Sequence, residues 1–434
     1  MELEEHLFRR EAGRMTAVLT RIFGVHNLAL AEDVVQDAFC RALEVWKFRG
    51  VPENPSAWLM AAAKNRALDV LRRERTARTY APELGRLLES EWTLAPAVEE
   101  LFSPQEVKDN ELRMMFSCCH GRLAEEAQVT LILHILCGFS VDEIAGAFVS
   151  SHASIEKRIT RAKKTLAGSK RLFEIASESD FAARLPAVQR ALYLLFNEGY
   201  HGASPESAVR AGLCQEAMRL TTILLAHPLA ATPTTHALAA LMHLHAARLP
   251  GRVDASGNLS SFVEQDRSRW DGKLATEGQR LLDLSAKGAE LSEYHIEAGI
   301  AAIHASAKNA QDTNWAGIVS LYDMLMNVRP SPVVALNRAI AVAEMEGPER
   351  GLQELHGIAD RERLARYPFY SAALGEMELR SGKNELARTH FQEALALARN
   401  PMERQFLEKR VSACEVEDPT AQVPRAGVQK AETR

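Results

Sequence analysis

Several absences narrow the classes of protein to which this sequence can belong. Aromatic residues make up only 6% of the chain, and no apolar run approaches the ~18 residues that a membrane-spanning helix needs. The N-terminal segment MELEEHLFRR is charged and lacks the apolar core of a secretion signal. We therefore expect a soluble cytoplasmic protein that has no membrane association.

Motifs of catalysis and metal binding are also lacking. The sequence contains no nucleophile elbow, no phosphate-binding loop and no C-x-x-C pair. One group of thiols and imidazoles has two interpretations, a zinc or redox site and a set of buried side chains: Cys118, Cys119, His120, His134 and Cys137. Adjacent cysteines do not easily ligate one ion, so the spacing favours burial as small hydrophobic residues. We expect no enzymatic activity, no cofactor and no metal.

The chain as a whole carries little net charge, but positive charge is concentrated in one segment. The formal net charge of the 434 residues is only −5, so no overall field attracts nucleic acid. Between His152 and Arg171, however, seven Lys or Arg residues stand against one Glu, which gives a local net charge of +6. This segment is the candidate for contact with a polyanion.

The basic segment lies in a pattern typical of a helix-turn-helix. Ser140 and Glu143 form an S-x-x-E capping box that begins a short first helix. Ser151 is a candidate cap for a second helix, whose apolar side consists of Ile155, Ile159, Ala162 and Leu166. Basic residues occupy the opposite side, as in a DNA recognition helix. The alternative is a solvated basic face on an ordinary surface helix.

Two helices with distinct polar faces are predicted near the N-terminus. In the first helix, apolar residues recur at intervals of four, four and three residues, which predicts one buried face: Val35, Phe39, Leu43 and Trp46. Acidic and polar residues make up another face of it: Glu32, Asp33, Gln36 and Asp37. After a loop broken by Gly and Pro, Asn54-Pro55-Ser56 opens the second helix, AWLMAAAKNRALDVLRRER.

Helical periodicity and the high Ala content predict an all-α protein. It would comprise five segments. These are a first helical unit, a linker with poor periodicity, a second helical unit that ends in the helix-turn-helix, a long helical extension and a disordered tail, at residues 1–75, 76–106, 107–171, 180–413 and 414–434 respectively.

The end of the extension contains a repeat signal. Small and apolar residues follow the 34-residue tetratricopeptide spacing at Leu374, Gly375, Gly382, Ala387, Phe391 and Ala394. A fainter copy lies about 35 residues earlier, around Ala339, Gly347 and Ala359. Generic helical hairpins rich in Ala and Gly match this pattern nearly as well.

The first two units together resemble the extracytoplasmic-function sigma factors, the bacterial RNA polymerase subunits that direct promoter recognition. AEDVVQDAFCRALE looks like their segment 2.2, NPSAWLMAAAKNRALDVLRR looks like segments 2.3 and 2.4, and the helix-turn-helix looks like segment 4.2. LYLLFNEGYHGAS, QDRSRWDG and SPVVALNRAIAVAEMEGP look like the long extension of one group of these factors, which has a tetratricopeptide-like C-terminal region. The resemblance spans nearly the whole chain.

The resemblance implies roles for particular residues. The recognition helix would read the −35 promoter element through Ser154, Lys157, Arg158, Arg161 and Lys164. The first unit would bind the −10 element as it melts, through Trp58, Lys64, Asn65, Arg66 and Asp69. Trp58 is either a wedge against the last paired step or a core residue. Glu32, Asp33, Gln36 and Asp37 would bind the coiled-coil clamp of the polymerase core. A contact with the polymerase flap is also implied.

The sequence therefore predicts an alternative sigma factor that binds core RNA polymerase and promoter DNA and initiates transcription. Its extension would regulate the sigma units in cis and offer a surface for a protein or small-molecule ligand. The alternative function is a stand-alone helix-turn-helix regulator with a ligand-sensing helical domain. The acidic face and the AWLMAAAKNRALDVLRR helix favour the sigma factor, because a simple regulator needs neither. A tetratricopeptide scaffold that binds only proteins does not account for the basic recognition helix.

Overall fold

A computed structural model describes residues 2–73, 98–148, 150–168, 178–202, 207–254, 258–262 and 264–415, together with residues 96 and 204. Within these residues the chain is helical and forms no β-strand, apart from one isolated bridge between Val253 and Leu259. The predicted all-α class is confirmed. Most of the predicted linker and almost all of the predicted tail lie outside the described residues.

The helices run in the following order. In the first helical unit they are α1 (Glu2–Phe23), α2 (Leu28–Arg49) and α3 (Pro55–Arg73). In the second they are α4 (Pro104–Cys118), α5 (Glu125–Ile135), α6 (Val141–Ala147) and α7 (His152–Ala167). In the extension, apart from one short helical turn at Leu249–Arg252, they are α8 (Glu178–His201), α9 (Ala211–Leu225), α10 (Pro233–Ala247), α11 (Gly272–Ser285), α12 (Glu293–Ser306), α13 (Trp315–Val328), α14 (Pro332–Glu346), α15 (Pro348–His356), α16 (Pro368–Arg380), α17 (Asn384–Ala396) and α18 (Pro401–Ala413).

These helices form two compact bodies. The larger body comprises 1–251 and 266–308, so it joins both helical units to the first part of the extension. The smaller body comprises 252–265 and 309–434. The extension, predicted as one segment, is thus shared between the two bodies.

The first helical unit packs α1, α2 and α3 around an apolar core. Val35 and Trp46 are buried in it as the periodicity predicts, but Leu43 is 59% exposed, so the prediction for this residue is wrong. Each step of four residues advances a helix by about 40° beyond a full turn, so two steps carry Leu43 about 80° away from Val35. Ala42 lies closer to the stripe and is buried instead.

The second helical unit contains the predicted helix-turn-helix. The Ser140 side chain accepts from the Glu143 backbone N–H, and the Glu143 carboxylate accepts from the Ser140 N–H, so the capping box at the start of α6 is confirmed. The Ser151 hydroxyl caps α7 by accepting from the Ser154 N–H. The four residues predicted for the apolar side of α7 are all buried: Ile155, Ile159, Ala162 and Leu166.

The first part of the extension packs directly on the second helical unit. The rings of Phe181 in α8 and Phe116 in α4 are stacked with centroids 4.0 Å apart, and both side chains are buried. Gly199 brings α8 against α9, since a Cβ at this position would lie 2.7 Å from the Cys214 backbone nitrogen. The core of the second unit therefore continues into the extension without a break.

The smaller body contains successive helical hairpins. Leu374, Phe391 and Ala394 are buried where α16 meets α17, and Leu336 and Leu355 are buried in the preceding α14–α15 pair. Ion pairs connect alternate helices: Arg380 pairs with Glu344, and Arg410 pairs with Glu376. Leu374, Gly375, Ala387, Phe391 and Ala394 of the repeat signal thus lie at helix–helix contacts, whereas Gly382, in the turn between α16 and α17, and Ala359 of the fainter copy are exposed.

Candidate nucleic-acid interface

The outward face of α7 presents a polar and basic surface. The buried stripe of this helix fixes its rotation, so the residues between the stripe positions point away from the core. Four of the five residues predicted for the −35 element are exposed to solvent: Ser154, Lys157, Arg161 and Lys164. The N-terminal half of this face can enter a major groove and offer hydroxyl, ammonium and guanidinium donors to phosphates and base edges.

Arg158, the fifth predicted residue, is engaged within the protein. Its guanidinium lies 3.0 Å from the Glu126 carboxylate at the start of α5. The same group lies over the Phe148 ring, 5.2 Å from the centroid. Arg158 therefore fastens α7 to the rest of the helix-turn-helix, and a base contact requires it to leave Glu126.

A residue that the sequence reasoning missed begins the recognition helix. The His152 Nδ1 lies 2.6 Å from an Asp142 carboxylate oxygen across the turn between α6 and α7. The hydrogen bond and the charge of Asp142 raise the pKa of His152 above its usual value. His152 could have been identified from the sequence as a candidate contact, because the first residues of a recognition helix lie nearest the bases.

The residues predicted for the −10 element all lie on α3. Asn65 and Asp69 are exposed, and Lys64 forms an ion pair of 3.2 Å with Glu99. Trp58 is half-buried, with its ring edge-on to Trp46 at a centroid distance of 5.5 Å. Trp58 thus contacts the core and also remains partly accessible.

The predicted polymerase-binding face on α2 is accessible at three of its four positions, Asp33, Gln36 and Asp37. Arg66 on α3 donates to Asp37 at 2.8 Å, so one carboxylate of this face also orients a side chain of the predicted −10 set. Glu32 is half-buried because the Lys163 ammonium of α7 contacts both of its oxygens, at 2.7 and 2.9 Å.

Exposed apolar side chains lie beside these polar faces. Phe48 is 83% exposed, and Leu43 and Val51 are 59% and 53% exposed. Phe48 and Val51 lie at the end of α2 and in the loop after it, whereas Leu43 lies farther back on α2. Large exposed apolar side chains at such a loop are candidates for contact with a partner or with unstacked bases. Periodicity did not identify these residues, because Leu43 fits the predicted buried stripe and Phe48 lies at the end of the helix.

Glu143 connects three segments of the larger body. Its carboxylate accepts from Arg9 of α1 at 2.9 and 3.1 Å and from Arg210, just before α9, at 2.5 Å. Arg210 also donates to Glu198 at 2.6 Å. Burial raises the pKa of Glu143, but the bonds and charges of Arg9 and then Arg210 outweigh it and lower the pKa to about 2.

A second carboxylate of the helix-turn-helix unit is held by the extension. Arg219 of α9 donates to Glu111 of α4 at 2.6 Å and to Glu216 at 2.7 Å. Glu111 is buried, and desolvation raises its pKa in spite of the hydrogen bond and charge of Arg219. Two arginines of the extension therefore clamp two carboxylates of the second helical unit.

The cysteines near the helix-turn-helix are buried in its core. Cys118, Cys119 and Cys137 are almost inaccessible, and desolvation raises the pKa of each thiol, to about 12 for Cys119. They pack as small hydrophobic side chains in the protonated form. In the part of the chain that the structure describes, no group of three or more His, Cys, Asp or Glu residues is arranged to hold a metal ion.

Several polar residues of the extension that could have lined a ligand pocket have structural partners. Glu198 pairs with Arg210, and Asp266 caps a short 3₁₀ turn by accepting from the Ser268 N–H. His295 accepts a hydrogen bond from the Ser292 backbone N–H at the start of α12. None of the helices described is both long and apolar enough to cross a membrane.

Three segments of the chain match known protein families. Residues 7–77 match Sigma-70 region 2, residues 113–166 match Sigma-70 region 4, and residues 184–286 match a family of unknown function, DUF6596. The chain is 37% identical over 396 residues to an uncharacterized protein of Rhizobium meliloti (strain 1021), which covers 91% of this chain and 92% of that protein. No solved structure matches the chain.

The two matched regions and the exposed recognition helix define a promoter-recognition subunit of RNA polymerase. Together, the two Sigma-70 regions indicate that the chain is a sigma factor of the extracytoplasmic-function type. It acts in promoter recognition and transcription initiation through RNA polymerase core and promoter DNA. The first helical unit is hereafter called region 2 and the second region 4.

Proposed function

We propose that region 4 binds the −35 element through the outward face of α7 while region 2 binds the melted −10 element through α3. The observation that carries this proposal is the exposed polar face of α7, with Lys157 and Arg161 pointing away from a buried stripe. Phosphate contacts by these side chains supply affinity, and bidentate contacts of Arg161 with guanine supply sequence choice.

The acidic face of α2 docks on the clamp coiled coil of the polymerase core, and region 4 contacts the flap. Asp33, Gln36 and Asp37 are accessible for this docking, and the exposed Phe48 and Val51 lie farther along toward the loop after α2. Charge on the α2 face guides the encounter, and apolar contacts beside it add affinity. The protein itself catalyses no reaction, and its chemistry is recognition and strand separation.

The extension regulates these units in cis, by bracing region 4 for its placement on polymerase. Three contacts support this role: the Phe181–Phe116 stack, the Arg210–Glu143 pair and the Arg219–Glu111 pair. All three join region 4 to α8, α9 or the turn just before α9, so region 4 and this part of the extension move together. The brace is thus a requirement for productive binding rather than an inhibitor.

The smaller body is a tetratricopeptide-like stack that offers a surface to a protein or small-molecule ligand. Its support is the succession of hairpins from α14 to α18 and the burial of Leu374, Ala387, Phe391 and Ala394 at their contacts. Stacked hairpins of this kind bind extended partners along an inner face.

Binding to purified core polymerase tests the assigned docking face. Asp37→Lys should abolish or strongly weaken association with core, because it reverses charge in the middle of the face. Glu44→Lys is a matched control, since Glu44 is an exposed acid farther along the same helix. The isolated DNA-binding activity of region 4 should be unchanged in both variants. Equal core binding by Asp37→Lys and the wild type would refute this assignment.

A further inference from the structure

The first residue of the recognition helix is joined to the preceding helix by a short side-chain contact. The Nδ1 of His152 lies 2.6 Å from the Oδ1 of Asp142, across the turn between α6 and α7. An ionised carboxylate only accepts hydrogen bonds, so Nδ1 carries a hydrogen and donates to Asp142. The other ring nitrogen, Nε2, therefore points away from Asp142, and it is the atom that gains or loses a proton when His152 titrates.

This pair lies at an accessible end of the proposed DNA-binding face. The side chains of His152 and Asp142 are 57% and 80% exposed. Ser154, which is predicted to contact the −35 element, is exposed two positions farther along α7. In a docked helix-turn-helix the first helix crosses the DNA backbone and the start of the second enters the major groove. The turn between α6 and α7 therefore lies next to phosphates when α7 docks, and the His152 ring is placed within reach of them.

The charge of this pair depends on the proton at Nε2. With the proton bound, the imidazolium balances the Asp142 carboxylate, and the Nε2–H group can donate a charge-assisted hydrogen bond to a phosphate oxygen. Without it, Asp142 leaves an unbalanced negative charge beside the DNA backbone, and Nε2 offers only a lone pair, which a phosphate cannot use. Both consequences of proton loss oppose the binding of DNA.

We propose that His152, positioned by Asp142, contacts a phosphate of the −35 element and that its proton makes promoter binding by this chain sensitive to pH. This inference rests on the proposed docking of the outward face of α7. The hydrogen bond and charge of Asp142, and to a smaller extent Glu156, hold the pKa of His152 above its usual value of 6.5. A phosphate beside Nε2 raises this pKa further, so the bound form takes up a proton. Binding is therefore strongest while the ring is protonated and weakens as the pH rises above 6.5.

Other titratable groups that face α7 are paired or stay neutral in this pH range. Glu126 of α5 is paired with Arg158 at 3.0 Å, and Glu32 of α2 is paired with Lys163 at 2.7 Å. His134 of α5 accompanies them, but burial, and then the charge of Lys163, lower its pKa below the usual 6.5. His134 is thus largely neutral above pH 6.5, where His152 loses its proton.

Fluorescence anisotropy of the full chain with a labelled duplex, the −35 end of a promoter that the chain transcribes, tests the phosphate contact. From about pH 6 to about pH 8.5 the wild type should lose about fivefold in affinity, and its salt dependence should become shallower by about one counterion. His152→Gln should remove both changes, and His152→Lys, which keeps its charge, should bind equally at both pH values. His26→Gln is the matched control and should behave as the wild type, because His26 is an exposed histidine in a turn that also packs against α7.

Asp142→Asn tests the positioning role separately from the contact. NMR of the full chain with isotope-labelled histidine gives the pKa of His152, whose signal is assigned by its absence in His152→Gln. In Asp142→Asn this pKa should fall, and the loss of DNA affinity should begin at a lower pH than in the wild type. An unchanged His152 pKa in Asp142→Asn, or a wild-type pH dependence of binding in His152→Gln, would overturn the inference. Failure of the wild type to bind the duplex at either pH would overturn the proposed docking of α7 instead.

Discussion

At the scale of single residues, Glu143 has the most connected side chain of the helix-turn-helix. It caps α6 through the Ser140 N–H at 2.8 Å, and it accepts from Arg9 and Arg210. The sequence pattern S-x-x-E predicted the cap and nothing more. Neither arginine was predictable, since their contacts cross 134 and 67 residues of sequence and leave no periodic signal.

The lowered pKa of Glu143 predicts a pH dependence of stability. Its folded pKa of about 2 lies below the usual carboxyl value, so its contribution is complete above that value and is lost as the pH falls toward 2. Glu143→Gln should therefore lower the free energy of unfolding clearly at pH 7 and much less at pH 3. Urea unfolding at the two pH values measures the difference, with the exposed Glu156→Gln as control. An equal loss at both pH values would contradict the assigned ion pairs.

Substitution of Arg161 should weaken only DNA binding, whereas substitution of Arg158 should weaken DNA binding and also destabilise the fold. Both are predicted to contact the −35 element, so each change to Ala should weaken binding of a −35 duplex by ~1–3 kcal/mol. Arg158→Ala should in addition lower the free energy of unfolding by about 1 kcal/mol, because Arg158 also contacts Glu126 and Phe148. Fluorescence anisotropy with a labelled duplex and thermal unfolding separate the two effects. Wild-type affinity in Arg161→Ala would remove this residue from the interface.

At the scale of elements, capping residues and apolar stripes were the sequence signals that predicted the helices most reliably. Ser140, Ser151 and the apolar side of α7 fixed the helix-turn-helix from local rules alone, and the structure agrees with all of them. The stripe on α2 was less reliable because intervals of four residues drift around the helix, which left Leu43 exposed. Packing of α1 on α4 and of α8 on region 4 depends on shape and was not predictable from spacing.

Substitution of the residue that caps the recognition helix tests how much the cap stabilises α7. Ser151→Ala removes the side-chain acceptor of the Ser154 N–H and should lower the free energy of unfolding by about 1 kcal/mol. Ser151→Asp should retain most of that stability, because a carboxylate also caps a helix N-terminus. Chemical denaturation of both variants provides the measurement. A Ser151→Ala protein as stable as the wild type would show that the cap contributes nothing to α7.

At the scale of the whole molecule, the extension is part of the structure that holds the recognition helix. The core of region 4 continues into α8, where Phe181 stacks on Phe116. The sequence predicted a long helical extension, and its resemblance suggested regulation in cis, but the contacts through Arg210 and Arg219 became visible only in three dimensions. The roles of individual promoter- and polymerase-facing residues stay predictions.

Removal of the extension should change promoter activity. Truncation after Arg171 exposes Phe116 and removes Arg219 from Glu111 and Arg210 from Glu143, so transcription from the cognate promoter should fall several-fold. Truncation after Lys308 is the matched comparison, because it removes only residues that belong to the smaller body. A loss confined to the shorter protein assigns the effect to the brace, and a loss in both assigns a part to the smaller body. Unchanged activity and core affinity after truncation at Arg171 would contradict regulation in cis.

Run-off transcription with purified bacterial core polymerase tests the central claim most directly. The purified chain is added to core enzyme and a library of genomic promoter fragments, with the Asp37→Lys variant as a control for docking. We predict transcripts from a small set of promoters that require the wild-type chain and are absent with core alone or with Asp37→Lys. No chain-dependent transcript from any fragment, together with no binding of the chain to core, would contradict its function as a sigma factor.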